Sequence, residues 1–163
     1  MPAALRLGIA LFLAGCAAEP AASTGQVKTF LKSELASFNG SNSSSIYMGL
    51  LGLVFDVSSG RKFYAVGAPY EALAGRESSR AVALMSLEEA DLEGEDDMTG
   101  IGEAEREEMT AIFEDTYVRK YPLIGLITDS RAIPPGKVGT AWYREVEWLA
   151  TQIGPATAGK QEL

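Results

Sequence analysis

Apolar and polar positions along the chain follow two different periods, and each change of period marks a new element. Between Thr29 and Phe38, the residues Phe30 or Leu31, Leu35 and Phe38 stand three or four apart, which predicts a short amphipathic helix. Ile46 to Leu51 and Leu53 to Val57 are apolar runs rich in β-formers, joined at Gly52 and closed by Ser58-Ser59-Gly60. They predict a strand, a tight turn and a strand. Ser78 or Ser79 can cap a short helix that runs through Met85, and the acidic run Glu88 to Asp97 then reads as a solvated loop. Between Glu103 and Tyr117 the residues Met109, Ile112, Phe113 and Tyr117 recur at helical spacing, while Glu105, Glu107, Glu108 and Glu114 take other faces. This predicts a helix lying on the core. Leu123 to Thr128 reads as a strand, and after the breaker Pro134-Pro135-Gly136 the stripe Trp142, Val146, Leu149 and Ile153 predicts a second amphipathic helix. The fold class is α+β, a small sheet with several short helices and no internal repeat.

The ends carry different information. Met-Pro-Ala-Ala-Leu-Arg6, the apolar stretch Leu7 to Ala14 and the small residues Gly15 to Ala18 read as a secretory signal with a cleavage site. The stretch is shorter than the roughly 20 apolar residues of a spanning helix, so a short anchor is the alternative reading. Leu13-Ala14-Gly15-Cys16 is also similar to a bacterial lipobox, which would attach a lipid at Cys16. Against that, the chain stops at Lys160-Gln161-Glu162-Leu163, which resembles the endoplasmic-reticulum retrieval signal with glutamine in its second place. The expected location is the secretory pathway, in the reticulum lumen or on endomembranes, with secretion or a bacterial lipoprotein as alternatives. Asn39-Gly40-Ser41 and Asn42-Ser43-Ser44 are candidate glycosylation acceptors in a polar run.

Composition then excludes whole classes of chemistry. With 22 acidic against 14 basic residues and a net charge of -8, the chain repels a phosphate backbone, so nucleic acid is not an expected partner. Cys16 is the single cysteine and lies in the leader, which leaves the folded part without disulfides or thiolate metal sites. There is no histidine. Zinc hydrolases, serine-histidine hydrolases and bis-histidine cytochromes are excluded together. Carboxylates are plentiful but no pair has acid/base spacing, so an enzyme is not expected.

The run Leu53-Val54-Phe55-Asp56-Val57-Ser58-Ser59-Gly60-Arg61-Lys62-Phe63-Tyr64, then Pro69-Tyr70, then Ala74-Gly75-Arg76-Glu77-Ser78-Ser79-Arg80-Ala81, resembles the membrane-associated progesterone receptor family. The resemblance extends from about Val27 to Thr128, takes in Glu34-Leu35 and Lys120-Tyr121, and is strongest to the secreted neuferricin branch. It implies a cytochrome b5-like fold with haem b in a cleft. It further implies Tyr70 as the axial ligand of the iron, with Tyr64, Lys120 and Tyr121 as polar supports. A phenol, whose ordinary pKa is ~10, binds ferric iron when metal charge and nearby donors stabilise the phenolate, and Tyr64 and Lys120 are suitable donors. An anionic oxygen favours ferric over ferrous iron. Without histidine, the haem would be five-coordinate or weakly six-coordinate, and its open face could stack into a homodimer.

Each of these residues also has a plainer reading. Tyr64, Tyr70 and Tyr121 could be packing residues with satisfied hydroxyls, Lys120 a solvated charge, and Arg76 and Arg80 structural anchors of a loop and a helix start. The family's glycine- and proline-rich loop between the two tyrosines is replaced by Ala65-Val66-Gly67-Ala68, whose added Cβ atoms restrict its path. The expected organisation is a leader over 1–18, a flexible lead-in over 19–26 and the cytochrome b5-like domain over 27–130. An extension with its amphipathic helix covers 131–154, and a disordered tail covers 155–163. The chain is read as a haem sensor, chaperone or regulatory module; the alternative is a lipid- or steroid-binding module using the same cleft without haem.

Overall fold

The computed structural model describes residues 26–41 and 43–153. The leader with Cys16, nearly all of the lead-in, Asn42 and the tail ending Lys160 to Leu163 lie outside the described residues.

Four strands form one mixed sheet: β1 (Thr29–Phe30), β2 (Tyr47–Leu50), β3 (Leu53–Asp56) and β4 (Leu123–Ile127), in the spatial order β1-β4-β3-β2. β1 runs parallel to β4, while the β2–β3 and β3–β4 pairs are antiparallel. The β2–β3 hairpin turns on Leu51 and Gly52, with φ of 54° and 75°, the consecutive left-handed residues that a two-residue hairpin requires. A leucine there costs about 1–2 kcal/mol relative to ordinary backbone. Two long-range bonds offset it: the Leu51 amide donates to Ser79 Oγ at 2.7 Å, and Trp142 Nε1 donates to the Leu51 carbonyl at 3.0 Å.

Alternation along β3 divides the core. Leu53 and Phe55 face the larger cluster with Phe113, Tyr117 and Trp142, whereas Val54 joins Phe30, Leu35 and Ile127 on the other face. The strand is buried on both sides, which is why it reads as a continuous apolar run.

The helices are α1 (Lys32–Leu35), α2 (Arg61–Tyr64), α3 (Ser79–Ala83), α4 (Glu89–Glu93), α5 (Glu103–Ile112) and α6 (Gly139–Ile153). α5 continues into a wider π-helical turn over Phe113–Val118. α6 docks on its own domain: Trp142, Tyr143 and Val146 are buried, and Trp142 stacks on Phe113 with centroids 5.7 Å apart.

Two local expectations change. The helix expected over Thr29–Phe38 begins only at Lys32, because the Phe30 carbonyl and its neighbours are taken by β4, with Thr128 N–H bonding Phe30 O at 2.9 Å. Sheet pairing overrides local periodicity there. The acidic run contains α4, and Asp96 within it is buried, bonded by Lys32 Nζ and Arg131 Nη2 at 3.0 Å each and by the Arg131 amide at 2.8 Å. Burial raises this carboxyl, but those donors outweigh it and hold Asp96 below its usual range.

Candidate functional site

Tyr64 closes α2 and points its ring at three others. Its centroid lies 6.2 Å from Tyr70 and 6.1 Å from Tyr121, and its hydroxyl meets that of Tyr117 at 3.2 Å. The backbone leaves room for this cluster at Gly60. A Cβ there would stand 2.7 Å from Tyr121 Oη and 3.1 Å from the Tyr64 ring, so any other residue would push the two apart.

The loop after Tyr64 returns on itself. Tyr70 N–H donates to the Phe63 carbonyl at 2.8 Å, Ala68 N–H to Ala65 at 2.9 Å, and the Gly67 amide to the Glu71 carboxylate at 2.6 Å. Gly67 has a φ of 82°, the conformation that its neighbouring alanines and valine disfavour. The alanine-rich loop thus closes around its one glycine and sets Tyr70 beside Phe63, with centroids 6.4 Å apart. Ser78 Oγ donates to Leu73 O at 3.1 Å, tying the turn that follows Tyr70 to the start of α3.

Between these elements lies a cavity of about 340 Å³, walled by Leu73, Ala81, Val82, Leu87 and Ile112, with the rings of Tyr64, Tyr70 and Tyr117 as its principal polar lining. Two larger hollows are of a different kind. One, about 530 Å³, is bounded by Asn39, Glu71 and Arg76, and another, about 470 Å³, by Asp96, Arg106 and Arg131. Only the smallest of the three combines apolar walls with convergent phenols, the makeup of a small-molecule site.

Environment separates the phenols. Tyr64 and Tyr117 are buried, at 5% and 4% exposure, whereas Tyr70 is 45% exposed. Burial, then the proximity of Tyr117, pushes the Tyr64 hydroxyl far above the ordinary range; burial also raises Tyr117. Tyr121, half-buried, is pushed up to about 12, by burial first and the neighbouring Tyr64 second. All three remain protonated near neutral pH and act as hydroxyl donors.

The structure brings together Tyr64, Tyr70 and Tyr121, of which Tyr64 and Tyr70 line the cavity and Tyr121 packs on Tyr64 outside the lining. It leaves Lys120 exposed and outside the cavity lining, its side chain without a hydrogen bond or ion pair among the described residues. Arg76 and Arg80 act as anchors: Arg76 Nη1 donates to Leu92 O at 3.3 Å, and Arg80 binds Asp91 at 3.2 Å and the Asp97 carbonyl at 2.9 Å. Asn39 is half-buried, its Oδ1 accepting the Ser41 amide at 2.9 Å. Sequence reasoning missed Tyr117, assigning it to the core stripe. Its position four residues before Tyr121, one helical turn away, was the available signal.

No family model matches the chain. Individual proteins do. Membrane steroid-binding protein 2 of Arabidopsis thaliana is 34% identical over 139 residues, 83% of this chain and 58% of its own length. Mouse neuferricin is 34% identical over 130 residues, 77% of this chain and 47% of its own. The chain therefore spans about half the length of these curated relatives. A solved Arabidopsis thaliana structure, described as having a cytochrome b5 like fold, is 33% identical with a TM-score of 0.54, over 62% of this chain and 91% of that one. The mixed four-stranded sheet with its several helices and these likenesses agree: the chain belongs to the membrane-associated progesterone receptor family of cytochrome b5-like proteins.

Proposed function

We propose that the cavity binds haem b, with the phenolate of Tyr70 as the iron ligand and Tyr64 as the hydroxyl that supports it. The observation that carries this reading is the contrast between the two rings 6.2 Å apart. Tyr64 is buried and held protonated, a standing donor, while Tyr70 is the half-exposed phenol that a metal can reach at the cavity's edge.

The donor set suits such a group. Leu73, Val82, Leu87 and Ile112 offer apolar walls to a flat ring system, and a phenol is the hard oxygen donor that ferric iron takes in place of histidine. When bound, the ferric iron supplies the positive charge that stabilises the phenolate. Tyr117 fixes the Tyr64 hydroxyl, and Tyr121 packs edge-on against the Tyr64 ring. Lys120, an exposed cation beside Tyr121, suits a haem propionate. The chain then works as a haem sensor, chaperone or regulatory partner rather than as a catalyst, and an open haem face would allow a haem-bridged homodimer.

A secretory location rests on the leader together with Lys160 to Leu163. Deleting those four residues should release the protein to the medium; equal secretion of both forms would remove the retrieval reading. Among the described residues no helix is long and apolar enough to cross a membrane.

The second reading is a steroid in the same cavity. It is favoured by the apolar walls and by the name of the Arabidopsis relative. Titration with haemin decides. Tyr70→Phe keeps the ring and removes the oxygen, so ferric haem affinity should fall at least tenfold, about 1.4 kcal/mol. An unchanged spectrum and affinity would overturn the ligand assignment and leave the steroid reading in front.

A further inference from the structure

Met85 lines the same cavity as Tyr70, yet at 72% exposure it is the most exposed large apolar side chain among the described residues. Its backbone is closely fixed. α3 ends with Leu84 N–H bonded to Arg80 O at 3.0 Å, Met85 N–H to Val82 O at 3.1 Å, and Ser86 N–H reaching five residues back to Ala81 O at 2.9 Å. This terminator needs a left-handed residue, normally glycine, and Met85 holds it with a φ of 49°.

Two costs meet at this position. A Cβ is disfavoured in the left-handed region, and apolar side-chain surface left in water gains nothing from folding. Glycine would avoid both. The left-handed strain is unfavourable for the chain alone and the exposed side chain does not offset it; a molecule in the cavity, which Met85 lines, would bury that surface.

We propose that Met85 is a ligand-contact residue, its thioether and methylenes lying against the flat ring system bound in the cavity. This rests on the haem reading above. Among the described residues Met85 is the only sulfur in the cavity lining, on an unbranched chain whose rotatable bonds let it follow a ring face, and sulfur packs favourably on π systems. The walls Leu73, Val82 and Ile112 are less exposed and fixed; the rim residue is the adjustable one.

Haemin titrations of the wild type, Met85→Gly and Met85→Leu, run beside thermal melts of the haem-free proteins, test this. Met85→Gly relieves the backbone and removes the side chain, so the haem-free protein should melt about 2–4 °C higher while its haem affinity falls about tenfold. Met85→Leu should retain most of the affinity, since it preserves apolar volume. A purely structural Met85 would move stability and affinity in the same direction. If Met85→Gly binds haemin with unchanged affinity and spectrum while Tyr70→Phe loses it, the contact is overturned and the haem reading stands. A wild-type protein that binds no haemin overturns both.

Discussion

The hydroxyls of Tyr64 and Tyr117 meet at 3.2 Å, two buried phenols 53 residues apart in sequence that share one hydrogen bond beside the cavity. The bond joins the end of α2 to the π-helical turn after α5. It keeps the Tyr64 ring oriented beside that of Tyr70, whose centroid lies 6.2 Å away.

Breaking that bond from either side should cost stability. Tyr117→Phe leaves the Tyr64 hydroxyl buried without this partner, a loss of about 1–3 kcal/mol, and Tyr64→Phe does the reverse. The double variant should cost less than the sum, because the second change removes a group already unpaired. Urea denaturation of the four proteins gives the coupling directly; strictly additive losses would mean the bond contributes nothing. With haem bound, Tyr64→Phe should alter the spectrum before it abolishes binding.

Much of this arrangement was legible in the sequence. The β2–β3 hairpin, α5 and α6 follow from apolar runs and helical stripes long enough to outweigh local ambiguity, and the tyrosine motif marked Tyr64, Tyr70 and Tyr121 as neighbours. What was not legible depended on partners distant in sequence. β1 exists because β4 pairs with it through Thr29 and Leu126, almost a hundred residues apart, and two residues carry no period of their own. Asp96 looks like any acidic surface residue until Lys32 and Arg131 are folded against it. Tyr117 was visible as an apolar position, but periodicity does not report where a hydroxyl points. The exposed position of Lys120 could not be read either, since a lysine beside a motif tyrosine has the same pattern whether it faces a ligand or water.

The C-terminal helix should matter for stability more than for the ligand. Trp142 is buried, stacks on Phe113 and donates to the Leu51 carbonyl at 3.0 Å, but neither it nor any other α6 residue lines the tyrosine cavity. Trp142→Ala should therefore cost about 3–5 kcal/mol in urea denaturation. Haem spectra of the still-folded fraction should be unchanged. Loss of haem binding at full stability would place α6 in the ligand's support instead.

The last expectation concerns pH and centres on Glu77, which is fully buried at the start of the segment leading into α3. Burial pushes its carboxyl up to about 8; the Ser79 hydroxyl, donating at 2.6 Å, works against that rise, and the nearby charge of Asp96 adds to it. Unfolded, the same carboxyl titrates at its ordinary 4.5. Between about 4.5 and 8 the folded protein holds a proton that the unfolded chain has released, so stability falls as pH rises, by up to about 1.4 kcal/mol per pH unit. Below that window the contribution is present in full, and above it the curve flattens because both states are ionised. Ser79 Oγ also accepts the Leu51 amide at 2.7 Å, so ionising Glu77 loads a charge onto the hydrogen-bonded link between the hairpin turn and α3. Glu77→Gln retains an oxygen to accept from Ser79 and cannot ionise. Urea denaturation at several pH values from 5 to 8 should show a downward slope for the wild type that is reduced in Glu77→Gln. Parallel slopes in the two proteins would mean that Glu77 is not the group being titrated.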